Sequence, residues 1–192
     1  MQKQAASSLI LASASPRRAE LLRAAGIAFR VEVSDLEEAR DPGEAPRAYA
    51  ERLARDKARV VAQRFPGEPV LAADTIVTIG DAVLEKPADA ADAARMLRQL
   101  SGRAHEVTTG VCIISKNEED VRRETTRVFF RALNDKDIAD YIATGEPMDK
   151  AGAYTIQGGA ARWVEKIEGD YNNVVGLPVA LVTRMLRDAN LL

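Results

Sequence analysis

The chain of 192 residues contains a single cysteine and a single histidine. With Cys112 alone, neither a disulfide within the chain nor a cysteine cage for a metal ion can form. Cys112 lies in an apolar segment, so we predict that it is a small core residue. The histidine, His105, stands at the entrance of a predicted strand, and we expect it to take no part in catalysis or zinc binding.

The chain also lacks a long apolar run and an excess of charge of either sign. Its net charge is −2 at pH 7, so no global positive field indicates binding to nucleic acid or to an anionic membrane. No apolar run reaches the length of a transmembrane helix, and residues 1–4 do not begin a signal peptide. We therefore expect a cytoplasmic protein without nucleic-acid or membrane partners, in which any phosphate site is a local cluster of cations.

Composition and pattern together predict the fold class. Hydrophobic residues make up 46% of the chain and charged residues 29%, which is typical of a globular protein with a sizeable core. Strand–helix units that suit parallel pairing occur beside long antiparallel hairpins. This mixture predicts an α/β protein built around a mixed sheet, as a single domain over residues 1–192.

The stretch from Leu9 to Leu22 organises the chain. A short apolar strand, Leu9–Ala12, precedes a turn of small residues, and Ser15 with Pro16 suits the start of a helix. Arg17 and Arg18 then occupy the first helical turn, where the partial positive charge of the helix disfavours cations. An anion held by backbone N–H groups and guanidiniums makes the arrangement favourable. Two solvated arginines are the alternative; we favour the anion site.

A helix predicted over Pro46–Arg64 carries a lysine near its buried face. Lys57 follows Leu53 by four residues, so the two side chains lie on the same side of the helix. The lysine could extend along the surface to reach solvent, or its amino group could point inward at a phosphate. Spacing alone leaves both possibilities open.

Asp74 lies in the middle of the most strand-like segment, Val70–Ile79. A carboxylate in an apolar strand is costly unless it is paired, hydrogen-bonded or metal-bound, which favours a functional role. An aspartate that caps a neighbouring turn is the alternative. Gly80-Asp81 then predicts a two-residue hairpin turn. Pairing about this turn puts Lys86 across from the region between Ile76 and Asp74, so we expect the lysine and the aspartate to be neighbours.

Two loops carry further candidate residues. Glu37 and Glu38 are either solvated acids or a carboxylate pair that could hold a hard divalent cation together with Asp74. The segment from Glu146 to Gly159 offers Lys150 as a further phosphate contact. It also offers Gln157, whose amide can donate and accept at the edge of a base, although this segment taken alone favours a glycine loop without a ligand. Known phosphate motifs such as the P-loop are missing. The residues alone favour phosphoanhydride hydrolysis or a phosphate-binding module.

Seven motifs occur in an order that is specific. They are Leu11-Ala-Ser-Ala-Ser-Pro-Arg-Arg18, Ala73-Asp-Thr-Ile-Val77, Lys86-Pro87, Ser101-Gly-Arg103, Asp149-Lys-Ala-Gly-Ala-Tyr154, Ile156-Gln-Gly158 and Val175-Gly-Leu-Pro178. Together they resemble the Maf family of nucleoside triphosphate pyrophosphatases over nearly the whole chain. The resemblance implies an elongated mixed β-sheet with flanking helices, in two lobes around a cleft, as in inosine triphosphatase-like proteins.

The resemblance also implies an activity. Such enzymes cleave a nucleoside triphosphate between its α and β phosphates with a divalent metal cation, Mg²⁺ or Mn²⁺. They are cytoplasmic and often homodimeric. Matching the motifs position by position makes Asp74 the proton acceptor and a metal ligand together with Glu37. The other phosphate and catalytic groups are Ser13, Arg18, Lys57 and Lys86.

Three further positions distinguish subgroups of the family. Here they are Arg17, Thr75 and Gln157, a set that resembles the subgroup acting on dTTP and UTP. Two alternatives stay open at this point. One is the same chemistry on another base, such as 7-methyl-GTP or a modified pyrimidine nucleotide. The other is a nucleotide-binding regulator of cell division without turnover.

Overall fold

A computed structural model describes residues 9–36 and 38–192. Within them the strands are β1 (Leu9–Leu11), β2 (Phe29–Val31), β3 (Val70–Ile79), β4 (Ala82–Leu84), β5 (Ala104–Ser115), β6 (Glu118–Phe130) and β7 (Val164–Glu168). The helices are α1 (Pro16–Ala24), α2 (Pro46–Arg64), α3 (Ala90–Leu100), α4 (Asp135–Ala143), α5 (Tyr171–Val175) and α6 (Val179–Asp188). Short 3₁₀ turns cover Glu146–Asp149, Ala151–Ala153 and Gly159–Trp163.

The strands form one mixed sheet in the order β2-β1-β3-β5-β6-β7, with β4 also paired to β3. β1 runs parallel to β2 and β3, and the other pairs are antiparallel. The predicted α/β class with a mixed sheet and flanking helices is confirmed. The single domain with two lobes stays a prediction.

The central feature of the sheet is a gap beside β3. Along one edge, β3 pairs with β5 from Val70 to Thr78. Along the other edge, β1 pairs with Val70 and Leu71 and β4 pairs with residues 77–79. Among the described residues no strand pairs with 72–76 on that edge. Asp74 therefore lies in the part of β3 that has no neighbouring strand on one side.

Helix α2 covers one face of β3 at close range. Ala50, Ala54 and Ala58 on its inner side are fully buried. A Cβ at Gly110 of β5 would lie 2.2 Å from the carbonyl oxygen of Ala50, so only glycine permits this approach. The small residues therefore bring the helix close enough for longer side chains of α2 to reach β3.

The two faces of β3 are divided by the strand period of two. Val70 and Ala72 pack against α2, and Ile76 packs against Leu53 of that helix. Leu71 and Ala73 face α1 and α6 on the other side. Asp74 follows the alternation toward α2, whereas Thr75 faces the opposite side.

Local geometry sets the starts of two strands. The β5–β6 hairpin closes on Lys116 and Asn117, both at positive φ (53° and 66°), so β6 starts at Glu118. β7 begins at Val164 because the residues before it, Gly159–Trp163, form a 3₁₀ turn.

His105 and Cys112 are both buried. Cys112 lies at 0% exposure in the core, as predicted. His105 is 2% exposed, and its Nε2 shares a hydrogen bond of 2.8 Å with the Tyr154 hydroxyl. Burial lowers the pKa of His105 to about 4, so the ring is neutral near pH 7. No helix in the described part of the chain has the length and hydropathy needed to cross a bilayer.

The buried histidine predicts a pH dependence of stability. In the unfolded chain the pKa of His105 returns to about 6.5, so between about pH 6.5 and 4 the unfolded state binds a proton that the folded state does not. Stability therefore falls as the pH drops through this window. Urea unfolding should show that wild type loses about 2 kcal/mol more than His105→Gln between pH 7 and pH 5. Parallel stability curves for the two proteins would contradict a buried neutral histidine.

Candidate functional site

A cleft of about 850 Å³ opens at the gap beside β3. Its walls come from residues 12–18, 74–77, 84–86, 149–151 and 174–176, with Tyr49, Leu53 and Lys57 from α2. A concave site of this volume accommodates a small organic ligand. The gap beside β3 thus lies against a ligand-sized space.

Lys57 and Asp74 form a buried ion pair in this cleft. Lys57 is 8% exposed and Asp74 is 6% exposed. The Lys57 Nζ donates to Asp74 Oδ1 at 2.6 Å and also lies 2.6 Å from Glu38 Oε1. Of the two possibilities that spacing left open, the inward one is correct, and the amino group meets two carboxylates.

Glu38 is ionised in this arrangement. Partial burial opposes its charge, but the hydrogen bond from Lys57 and the positive charges of Lys57, Lys86 and Arg18 outweigh that effect and lower the pKa of Glu38. Among the described residues, the cleft lining carries five cations and four carboxylates: Arg17, Arg18, Lys57, Lys86 and Lys150, and Glu38, Asp74, Glu85 and Asp149. The small surplus of positive charge suits an anionic ligand.

Lys86 and Asp74 both line the cleft. Val77 pairs with Leu84 at the end of β4, and Lys86 follows that end by two residues. That the lysine and the aspartate are direct neighbours stays a prediction.

Arg18 is anchored in the cleft by neutral oxygen atoms. Its guanidinium donates to the Gly176 carbonyl (2.8 Å), Ser13 Oγ (3.2 Å) and Thr75 Oγ1 (3.1 Å). Burial lowers the pKa of Arg18, and the charge of Asp74 works against that effect. The alternative of a solvated arginine is wrong here. Its positive charge is fixed beside the turn at the start of α1.

Arg17 and Thr75 face the same wall of the cleft. Arg17 Nη1 donates to Thr155 Oγ1 at 3.5 Å, while its buried Nε has no hydrogen-bond partner within residues 9–36 and 38–192. Thr75 Oγ1 is 2.9 Å from Thr109 Oγ1, which in turn donates to the Asn173 carbonyl. A hydroxyl network in the sheet thus holds Thr75 beside the arginines.

The structure does not bring every predicted residue into the cleft. Gln157 is exposed and does not line it. Glu37 lies outside the described residues. Lys150 lines the cleft and contacts Asp149.

The residue pattern missed four side chains of the cleft: Tyr49, Glu85, Tyr154 and Thr155. The Tyr49 hydroxyl donates to Glu85 Oε1 at 3.1 Å, which ties α2 to the end of β4. A signal for Tyr49 was present, because it lies on the same helical stripe as Leu53 and Lys57. Nothing in the spacing of Thr155 indicated its contact with Arg17, 138 residues earlier in the chain.

Comparison with known proteins agrees with the family resemblance of the sequence motifs. Residues 8–189 match the family model described as "Maf-like protein". A dTTP/UTP pyrophosphatase of Koribacter versatilis (strain Ellin345) is 63% identical over 184 residues, covering 96% of this chain and 95% of the relative. Proteins of the same name from Citrifermentans bemidjiense and Symbiobacterium thermophilum are 55% and 53% identical, and the matches cover 94% and 93% of this chain and 95% and 92% of those relatives.

The buried ion pair predicts a large cost for removing its cation. Lys57→Met leaves the carboxylate of Asp74 without its charge partner, and we expect a loss of about 3 kcal/mol in the free energy of unfolding. Adding Asp74→Asn should recover part of the loss because the stranded charge is removed. The control is Lys136→Met in an exposed pair with Asp140, which should cost less than about 1 kcal/mol. Equal losses for Lys57→Met and Lys136→Met in urea unfolding would contradict the buried pair.

Proposed function

The chain belongs to the Maf family, and we propose on this premise that it hydrolyses dTTP and UTP to the monophosphate and pyrophosphate. The observation that carries the proposal is the buried Lys57–Asp74 pair in a cleft whose described lining carries five cationic side chains. Relatives at 63% and 55% identity over nearly their full length are named dTTP/UTP pyrophosphatases, which supports the same substrates here.

The triphosphate binds at the cationic side of the cleft. Arg18 presents a fixed guanidinium, and Ser13 with the N-terminal turn of α1 offers polar groups beside it. Lys86 adds a charge from the β4 side. These groups neutralise the negative charge that grows on the phosphates as the anhydride bond breaks.

Asp74 accepts the proton of the attacking water. Lys57 holds Oδ1 at 2.6 Å, which fixes the orientation of the carboxylate, and Oδ2 is the oxygen that we assign to the proton. The water oxygen forms a bond to the α-phosphorus, and the bond from this phosphorus to the oxygen that bridges the α and β phosphates breaks. Pyrophosphate leaves with the electron pair of that bond. Positioning by Lys57 keeps the base at hydrogen-bond reach of the water.

The donor set also fits a divalent cation such as Mg²⁺ or Mn²⁺. The described residues contain no group of three His, Cys, Asp or Glu arranged around one point. Asp74 and Glu38 nevertheless both approach the Lys57 amino group at 2.6 Å, and one or two carboxylates plus phosphate oxygens and water are the usual ligands of Mg²⁺. We propose Asp74, with Glu37 as expected from the family motif or Glu38, as the protein ligands. The cation would supply positive charge to the phosphate oxygens.

Base recognition falls to the opposite side of β3 from the ion pair. Arg17 and Thr75 lie there together with Thr155. Gln157 is two residues beyond Thr155 and is exposed outside the cleft lining; we propose that its amide contacts the part of the base that extends beyond the cleft. The net charge of −2 agrees with a small anionic substrate bound by a local cluster. We further propose a homodimer located in the cytoplasm.

A nucleotide panel with product analysis tests the function. The protein with Mg²⁺ or Mn²⁺ is incubated with dTTP, UTP, CTP, GTP and 7-methyl-GTP, and the products are separated. We expect the monophosphate and pyrophosphate from dTTP and UTP in preference to the others. Binding without turnover would favour a regulator, and preferred cleavage of 7-methyl-GTP would reassign the base. Release of inorganic phosphate from the γ position would overturn the assigned bond.

Asp74→Asn should abolish turnover while the protein stays folded and binds nucleotide. The amide keeps the size of the side chain but cannot take a proton from water, so we expect kcat to fall by at least about a hundredfold. Asp81→Asn, in the exposed hairpin turn at the far end of β3, is the matched control and should keep full activity. A folded Asp74→Asn protein with wild-type kcat would remove the aspartate from catalysis.

Gln157→Ala should change base preference more than metal dependence. Loss of a two-sided amide removes hydrogen bonds to the base, worth about 1 kcal/mol, and lowers kcat/KM for UTP about fivefold relative to CTP. The metal concentration that gives half-maximal rate should stay the same. If the ratio between UTP and CTP does not move, Gln157 does not contact the base.

A further inference from the structure

Gln157 sits in a tight turn whose two ends are hydrogen-bonded to a different part of the chain. The Gly158 N–H donates to the Thr155 carbonyl at 3.2 Å, which makes Gln157 the third residue of a β-turn. Ile156, the residue before it, is 4% exposed and packs into the core. The turn thus has a buried root and an exposed amide at its tip.

Two side chains from the region of α4 hold the ends of this turn. The Thr155 N–H donates to the Tyr141 hydroxyl at 3.1 Å, and the Gly159 N–H donates to Glu146 Oε2 at 2.9 Å. Neither Tyr141 nor Glu146 lines the cleft. Both side chains bind backbone groups, so they act on the shape of the turn whatever side chains it carries.

The fit around Glu146 is close. A Cβ at Gly158 would lie 1.9 Å from Glu146 Oε1, and one at Gly159 would lie 3.2 Å from the Tyr141 ring. Tyr141 is 1% exposed and packs edge-on against Trp163 with ring centres 4.9 Å apart. Burial, aided by the nearby Glu146 carboxylate, raises the pKa of Tyr141, so its hydroxyl stays protonated. The glycines leave room for both acceptors to reach the backbone.

We infer that Tyr141 and Glu146 are positioning residues for base selection, which fix the Thr155–Gly159 turn and so hold Gln157 and Thr155 in place for the nucleotide. The inference rests on the proposed function. The same turn carries Thr155, the hydrogen-bond partner of Arg17. Fixing the turn therefore orders two of the groups beside the base without either positioning residue touching the substrate.

A pre-ordered turn gives selectivity because the correct base does not have to order it on binding. Without one of its two end contacts the turn gains freedom, and hydrogen bonds that distinguish uracil from cytosine become weaker. Loss of one hydrogen bond of about 1 kcal/mol corresponds to about a fivefold change. The phosphate groups and Asp74 lie on other elements, so kcat on UTP should change less than the preference between bases.

The experiment compares four variants by kcat and KM on UTP and CTP. Glu146→Ala and Tyr141→Phe remove an acceptor, whereas Glu146→Gln keeps a carbonyl oxygen for the Gly159 N–H. Asp140→Ala on the exposed side of α4, where Asp140 pairs only with Lys136 among described residues, is the matched control. We expect the ratio of kcat/KM between UTP and CTP to fall about fivefold in the first two and to stay within twofold of wild type in the others.

Amide hydrogen exchange gives a second measurement that does not depend on activity. The Gly159 amide should exchange faster in Glu146→Ala than in Glu146→Gln, and the Thr155 amide faster in Tyr141→Phe. Gly158→Ala replaces Glu146→Ala if the latter folds poorly. Its added methyl group would displace the Glu146 carboxylate, so we expect the same faster exchange of the Gly159 amide. Unchanged base ratios in folded variants with fast-exchanging amides would overturn the inference.

Failure of the proposed function is distinguishable from failure of the inference. If wild type hydrolyses none of the nucleotides, the function is wrong. If wild type prefers UTP and all four variants keep that preference, the function stands and the positioning role is wrong. Rescue by Glu146→Gln separates positioning from a general loss of stability, since the amide restores the acceptor but not the charge.

Discussion

The structure depends on one buried ion pair, Lys57 with Asp74, at the unpaired part of β3. Taking two charges out of water costs several kcal/mol per ion unless each finds a partner at short range. The 2.6 Å contact meets that condition. It requires α2 to lie close to the sheet, which the buried alanines of α2 and Gly110 of β5 allow. The charge arrangement of the site therefore depends on the close packing of α2 against the sheet.

The alternation of side chains along β3 sends Asp74 and Thr75 to opposite faces of the strand. Asp74 faces α2 and its lysine, and Thr75 faces Arg18 and the hydroxyl network that ends at Asn173. In a fully paired strand these neighbours would lie on opposite sides of a closed sheet. Because β1 and β4 occupy the two ends of the same edge, both side chains border one space. Side chains from both faces of β3 can then contact a single ligand.

Much of the fold could be predicted from the sequence because the signals are local. The bounds of α2 and β3 are those predicted, since a long amphipathic helix and a long apolar strand each repeat their pattern several times. The hairpin at Gly80-Asp81 follows from turn chemistry. Helix α5 was not predicted, because five residues are too few to show a period. The tight turn between β5 and β6 depends on positive φ at two residues that are not glycine, so no glycine in the sequence marks it.

The sequence by itself determined which residue types could do phosphate chemistry and where they stand in the chain: Ser13, Arg18, Lys57, Asp74 and Lys86. Only the tertiary structure decided how they meet. Spacing along α2 could not tell whether Lys57 reaches solvent or the sheet, because that depends on how near the neighbouring strand lies. Nor could it connect Arg17 with Thr155, or the 155–159 turn with Tyr141 and Glu146. Contacts of that kind are made between distant segments, and local pattern carries no information about them.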